Sequence, residues 1–162
     1  MKPRIYTDTS VIGGCYDEEF RGPSNRLLDS FSAGSAGSAG RATLVVSDLT
    51  LLELERAPDE VRAVLARVPP EHRENVELSE EAAGLAERYI QEGAIRATSR
   101  ADARHIAIAT VARVDVLVSW NFKHIVNLQR IHAYNSVNLR DGYPVLEIRS
   151  PMEVWSDAQD DD

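Results

Sequence analysis

The sequence predicts an α/β sandwich built on a mostly parallel sheet. Three observations predict it. Short apolar or β-branched runs occur at Ile5–Thr7, Leu44–Val46 and Asp115–Val118. Helical stretches separate them. Helix-start and helix-stop residues stand at several of the joins. Strands that alternate with helices favour parallel pairing, and ligands of such sheets bind beyond the carboxyl ends of the strands.

Ile5-Tyr6-Thr7 reads as a short buried strand ending at Asp8, with a helical stretch from about Ser24 to Phe31. Ser32–Gly40 repeats Ser-Ala-Gly three times, a low-complexity composition expected to form a flexible loop. Leu44-Val45-Val46 is the second strand and runs into Ser47-Asp48, a good helix start. The following helix stops near Pro58, and another spans about Asp59–Val68. Val76–Leu78 is a candidate third strand. A helix then opens at Ser79 and stops at Gly93. Ser99–Arg113 is an alanine- and isoleucine-rich helix, Asp115–Val118 the clearest strand, and Val145–Ile148 a candidate edge strand. Residues 1–155 are thus expected to form a single domain, and 156–162 a disordered acidic tail.

The composition is that of a globular protein, with 43% hydrophobic and 27% charged residues in a chain of 162. No apolar run is long enough to span a bilayer, and the first residues lack the apolar core of a secretory signal, so a cytoplasmic protein is expected. The lone cysteine, Cys15, excludes an internal disulfide and a multi-thiolate metal site. The net charge is −8, and four of those charges fall on Asp157, Asp160, Asp161 and Asp162. An acidic chain is poorly suited to nonspecific coating of nucleic acid, which needs many Lys and Arg contacts to phosphate. It remains compatible with gripping a phosphate through a metal ion.

Candidate chemistry lies just past the strands. Asp8 follows the first, and Glu53 stands one to two helical turns beyond Ser47, which ends the second. Asp102 lies near the start of the helix leading to the fourth strand, and Ser119 and Asn121 follow that strand. Glu53 shares a helix face with Leu49, and Asp102 with Ile106 and Ala109, which are core-facing spacings. A carboxylate on such a face must be protonated, paired or metal-bound. A divalent ion of the Mg²⁺ type, with its preference for oxygen ligands, answers for several acids at once. Each acid also has a plainer reading. Asp8-Thr9-Ser10 can cap a helix, Ser99-Arg-Ala-Asp102 approximates a capping box, and Glu53 can pair with Arg56.

These residues resemble the PIN-domain nucleases. Tyr6-Thr7-Asp8-Thr9-Ser10 is similar to that family's opening strand and first acid. Ser47–Leu54 resembles its second motif with Glu53 as the acid, Asp102–Ala109 its third with Asp102, and Val116–Ile125 its fourth. The resemblance covers residues 4–126 or so. It implies a three-layer α/β/α sandwich and Mg²⁺- or Mn²⁺-dependent hydrolysis of RNA phosphodiesters. Asp8, Glu53, Asp102 and Asn121 would hold metal, and Thr9, Ser10 and Ser119 would support them. Many small bacterial members resemble VapC toxins, which implies an antitoxin partner and a homodimer. Asn121 departs from the pattern, because an acid often stands there; an amide oxygen can still ligate a hard cation but adds no charge.

Arg100 and Arg104, near Asp102, and Lys123, after Asn121, are candidates for contacts to RNA phosphates, against the plainer reading of ordinary surface charge. His105 is read as a packing or surface histidine, and Trp120 as a packing residue with base stacking as its alternative. Phosphate-binding glycine loops and the Gly-x-Ser-x-Gly elbow are absent from the sequence. The expected function is a ribonuclease, the toxin of a toxin–antitoxin pair; the alternatives are a PIN-fold module without turnover and, below it, an Asp8-nucleophile phosphatase.

Overall fold

Strand β1 (Arg4–Thr7) occupies the middle of the sheet because, beyond Arg4, it is uncharged on both faces: Ile5, Tyr6 and Thr7 are all buried. It pairs on one side with β2 (Thr43–Ser47) and on the other with β4 (Val116–Val118). Beyond these lie β3 (Arg73–Val76) and β5 (Ile148–Arg149), giving the order β3-β2-β1-β4-β5. All four pairings are parallel, so the sheet is wholly rather than mostly parallel. The computed structural model describes residues 2–32 and 40–155. Of the expected Ser-Ala-Gly loop at 32–40, Ser32 ends α2 and 33–39 lie outside the described residues, as does the acidic tail at 156–162.

Side chains alternate across the strands and feed two cores. Tyr6, Val45, Leu117 and Ile148 face one core, packed by α5 (Glu80–Gln91), α6 (Arg100–Val111) and α7 (Leu128–Arg140). Ile5, Leu44, Val46 and Val118 face the other, packed by α1 (Thr9–Gly14), α2 (Arg21–Ser32) and the segment around Val61–Val68. This is the three-layer α/β/α sandwich. Between β2 and β3 lie α3 (Asp48–Leu54) and α4 (Asp59–Arg62), and α8 (Pro151–Val154) closes the described chain.

The start and stop chemistry operates largely as the sequence indicates. The Ser47 hydroxyl accepts the Thr50 N–H to cap α3, and the Ser79 hydroxyl accepts the Ala82 N–H to cap α5. Gly93 follows α5 with φ +77°, the left-handed stop that glycine allows.

Four expectations need correction. The helix expected over 59–68 is α4 followed by a 3₁₀ turn at Ala63–Arg67. Strand β3 sits at Arg73–Val76 rather than 76–78; it is an edge strand, half-buried and polar, so it carries no apolar signature. Strand β5 begins at Ile148, not Val145, which is exposed. Helix α7 was not anticipated, because only Tyr134, Val137 and Asn138 of it are fully buried. Its signals are nonetheless present: the Asn127 side chain caps it by accepting the Arg130 N–H, and Gly142 follows it at φ +88°.

The chain runs from β1 outward through β2 and β3, then crosses to β4 and β5 on the other side. The direction of winding therefore reverses between β1 and β4. A crevice opens beyond the carboxyl ends of strands at such a switch point. The residues that follow these two strands are Asp8 and Ser119.

Candidate functional site

Asp8 is buried, with 5% of its surface exposed, and it does not act as a helix cap: its side chain accepts no backbone N–H from the first turn of α1. Its two oxygens face hydroxyls instead. Ser10 donates to Oδ1 at 2.6 Å and Ser119 to Oδ2 at 2.6 Å. Both hydroxyls are themselves fixed by backbone. Ser10 Oγ accepts the Trp120 N–H at 3.0 Å, and Ser119 Oγ accepts the Asn121 N–H at 3.0 Å. The loop after β4 thus clamps the residue after β1. An ionised carboxylate offers about four lone-pair positions, so two hydroxyls leave room for a cation.

Asp102 sits across the same crevice. The capping-box reading does not hold, since Ser99 makes no side-chain cap to α6. Asn121 instead donates its Nδ2–H to Asp102 Oδ2 at 3.2 Å and accepts the His124 N–H on Oδ1 at 2.9 Å. That second bond orients the amide, because only the oxygen can accept. Asn121 therefore presents an N–H, not its oxygen, to Asp102. Burial raises the Asp102 pKa, and the negative charge of Asp8 raises it further. His105, His124 and the Asn121 bond oppose the shift. A buried acid raised further by the charge of a second, with no Arg or Lys paired to either among the described residues, marks a crevice that favours a cation.

Glu53 joins this group by another route. Thr9 donates to its Oε1 at 3.1 Å, and the His105 Nε2 lies 2.5 Å from the same oxygen. Burial alone would raise the Glu53 pKa. The hydrogen bond and charge of His105, together with Thr9, override it and bring the pKa below the ordinary value. Its side-chain partner is His105 rather than Arg56. Behind His105, the Tyr6 hydroxyl stands 2.6 Å from Nδ1 and 2.8 Å from Ser47 Oγ. Burial holds the Tyr6 hydroxyl well above the usual phenol range. His105 is thus neither a surface histidine nor mere packing. It and Tyr6 are residues that sequence reasoning missed; a buried-face histidine three positions after Asp102 was the available signal.

The seven core candidates thus fall in two hydrogen-bonded sets, Asp8, Ser10, Ser119, Asn121 and Asp102 in one and Thr9 with Glu53 in the other, joined through the chain between Asp8 and Thr9. The other three are placed differently. Arg100 is committed to Glu87 through a two-bond ion pair at 2.6 and 3.3 Å. Arg104 has a buried Nε with no hydrogen-bond partner among the described residues, and it lines a groove with Asp48, Leu49, Leu52 and Leu78. Lys123 lines a separate groove with Asn127 and Arg130. Trp120 packs: its ring stacks on Phe20 at 4.2 Å, and its Nε1–H donates to Ser24 at 2.7 Å. Gly14 is needed beneath it, because a Cβ there would lie 2.5 Å from Ser24 Oγ and 2.9 Å from Trp120 Nε1.

Among the described residues, no group of three or more His, Cys, Asp or Glu side chains is arranged to hold a metal ion. The donors that face each other are two, Asp8 and Asp102. One or two carboxylates, completed by waters and substrate phosphate, are the usual protein contribution to a Mg²⁺ site, so this hard-oxygen pair fits such an ion. No helix of the described residues is long and apolar enough to cross a membrane.

No family model matches the chain, and no curated protein matches it. Solved structures do. The chain is similar to the Mycobacterium tuberculosis VapC20 toxin, which cleaves the sarcin–ricin loop. The TM-score is 0.53 at 16% identity, over 74% of this chain and 92% of that one. It is similar to VapBC2 from Rickettsia felis, bound to a fragment of promoter DNA, with TM-score 0.54 at 12% identity over 91% and 98%. A toxin–antitoxin complex from Klebsiella pneumoniae gives 0.50 at 18% over 74% and 88%. At such identities the likeness speaks for the fold: the chain has the PIN fold that its four motifs resemble.

Proposed function

We propose that this PIN-fold protein is a Mg²⁺- or Mn²⁺-dependent ribonuclease and the toxin half of a toxin–antitoxin pair. One observation carries the reading. Asp8, just past β1 at the switch point of the sheet, lies close enough to Asp102 for its charge to add to burial in raising the Asp102 pKa, and among the described residues no Arg or Lys is paired to either acid. Asp8 and Asp102 would hold the metal, and Glu53, tied to Thr9 beside Asp8, would complete the acidic rim. When bound, such an ion neutralises phosphate charge and activates water for phosphodiester hydrolysis. The chain's own residues position: Ser10 and Ser119 fix both oxygens of Asp8, and Asn121 fixes Asp102. Lys123, in its groove with Arg130, and Arg104, beside the exposed Leu52, are the cations available to RNA phosphates. Arg100 is already neutralised by Glu87.

The partners follow from the same reading. The similar structures from Rickettsia and Klebsiella are toxin–antitoxin complexes, which supports an antitoxin for this chain, and a homodimer and a cytoplasmic setting accompany it.

The test is cleavage of RNA with added Mg²⁺ or Mn²⁺ against a chelator control. Asp8→Asn and Asp102→Asn should each lower the rate at least about a hundredfold, with any growth toxicity relieved. Full activity in both variants, still folded, ends the proposal. One observation favours a second reading, a module that binds without turnover: Asn121 stands where an acid is often found and turns its N–H toward Asp102. Metal uptake measured by calorimetry, with no cleavage of any RNA tried, would select that module.

A further inference from the structure

A string of deeply buried polar side chains stands behind Glu53. Tyr6, Ser47 and Thr50 are fully buried and His105 is 2% exposed, and they come from β1, the end of β2, α3 and α6. Ser47 Oγ accepts the Thr50 N–H and lies 3.3 Å from Thr50 Oγ1 and 2.8 Å from the Tyr6 hydroxyl. Ionised Glu53 can only accept, so His105 Nε2 must carry the proton of the bond to Oε1. The other ring nitrogen, Nδ1, meets the Tyr6 hydroxyl at 2.6 Å, so the string runs unbroken from Ser47 through Tyr6 and His105 to Glu53.

We propose that His105 is a positioning residue for the metal site: held in one orientation by Tyr6, it fixes the carboxylate of Glu53. Oε1 is occupied by His105 and Thr9, and the carboxylate is set with its other oxygen as the remaining donor. The inference rests on the metal-dependent reading above. It differs from simple core satisfaction in one respect: the string ends on a half-exposed acid at the crevice, with the Glu53 side chain 35% exposed, instead of closing on backbone. A hydrogen-bond partner of this kind, one step behind a metal-binding carboxylate, typically governs metal affinity about tenfold to a hundredfold.

Two substitutions divide the roles of the ring. His105→Gln places an amide nitrogen near the Nε2 position and keeps a donor for Glu53. His105→Asn keeps an amide near Nδ1, facing Tyr6, and withdraws from Glu53. Mn²⁺ affinity of the full-length protein is measured by calorimetry. His105→Asn should weaken it by about tenfold or more, and His105→Gln should restore most of the loss. In a Glu53→Gln background neither change should alter the affinity beyond about twofold, because the effect passes through Glu53. A folded His105→Asn protein that binds Mn²⁺ as the wild type does overturns the inference. So does a loss that persists in full in the Glu53→Gln background. Should His105→Asn not fold, Tyr6→Phe takes its place, and unchanged affinity there is equally decisive against it. Wild-type protein that takes up no Mn²⁺ defeats the metal-dependent reading itself, a result separable from all of these.

Discussion

Asp8 and Glu53 lie near one another yet are held in opposite ways. Asp8 is clamped by its own loop and the next: Ser10 is two residues away, Ser119 follows the neighbouring strand, and backbone N–H groups fix both hydroxyls. Glu53 is held from behind by side chains alone, through His105 and Tyr6. The first arrangement follows once β1 and β4 pair, since the strand register carries Asp8 and Ser119 to the same end. The second requires β1, α3 and α6 to have docked. The difference shows how one acid can be fixed by sheet geometry while its neighbour depends on tertiary packing.

Tyr6→Phe attacks the long-range side and should have the larger effect on stability. It leaves His105 Nδ1 and the Ser47 hydroxyl without their buried partner, at a cost of about 3 kcal/mol in denaturant unfolding. Ser119→Ala attacks the local side. It frees the Asn121 N–H and one oxygen of Asp8, but the crevice admits water, so a loss of about 1–2 kcal/mol is expected. Ser10→Ala should cost less still, under about 1 kcal/mol, because Ser10 is exposed and water can take its place against Asp8. If Ser10→Ala proved as damaging as Tyr6→Phe, the contrast between the two acids would be lost.

The same contrast explains what could be read before the fold was known. Asp8-Thr9-Ser10, the Ser47 cap and the strand alternation are local patterns, and each stands where the sequence puts it. Glu53 and Asp102 betray themselves as acids on core-facing helix positions. The string could not be read, because Tyr6, Ser47 and His105 look like ordinary strand, cap and helix residues until 99 positions of chain fold back between Tyr6 and His105. The commitment of Arg100 to Glu87 is likewise a contact between helices, invisible to spacing along one. The edge strands β3 and β5 were foreseen with their bounds a few residues off, because their partial burial leaves no apolar run to mark the ends.

The smallest predicted effect is also the one that separates the acids by sign. The pKa of Asp102 is raised in the folded protein by burial and by Asp8, so the native state binds its proton more tightly than the unfolded chain. Its ionisation therefore removes stability as pH rises from the unfolded value, about 3.9, through the higher folded one. Glu53 runs the other way. Its pKa is lowered, so its contribution is present above the unfolded value, about 4.3, and is lost as pH falls through the folded one. Thermal melts across this range, without metal, should show Asp102→Asn gaining a few degrees over wild type toward neutral pH. Glu53→Gln should fall below wild type over the same range, and Mn²⁺ should narrow the gap for wild type while leaving Asp102→Asn unmoved. An Asp102→Asn protein less stable than wild type at neutral pH would mean that Asp8 and Asp102 do not oppose each other, and the cation-seeking crevice would lose its physical basis.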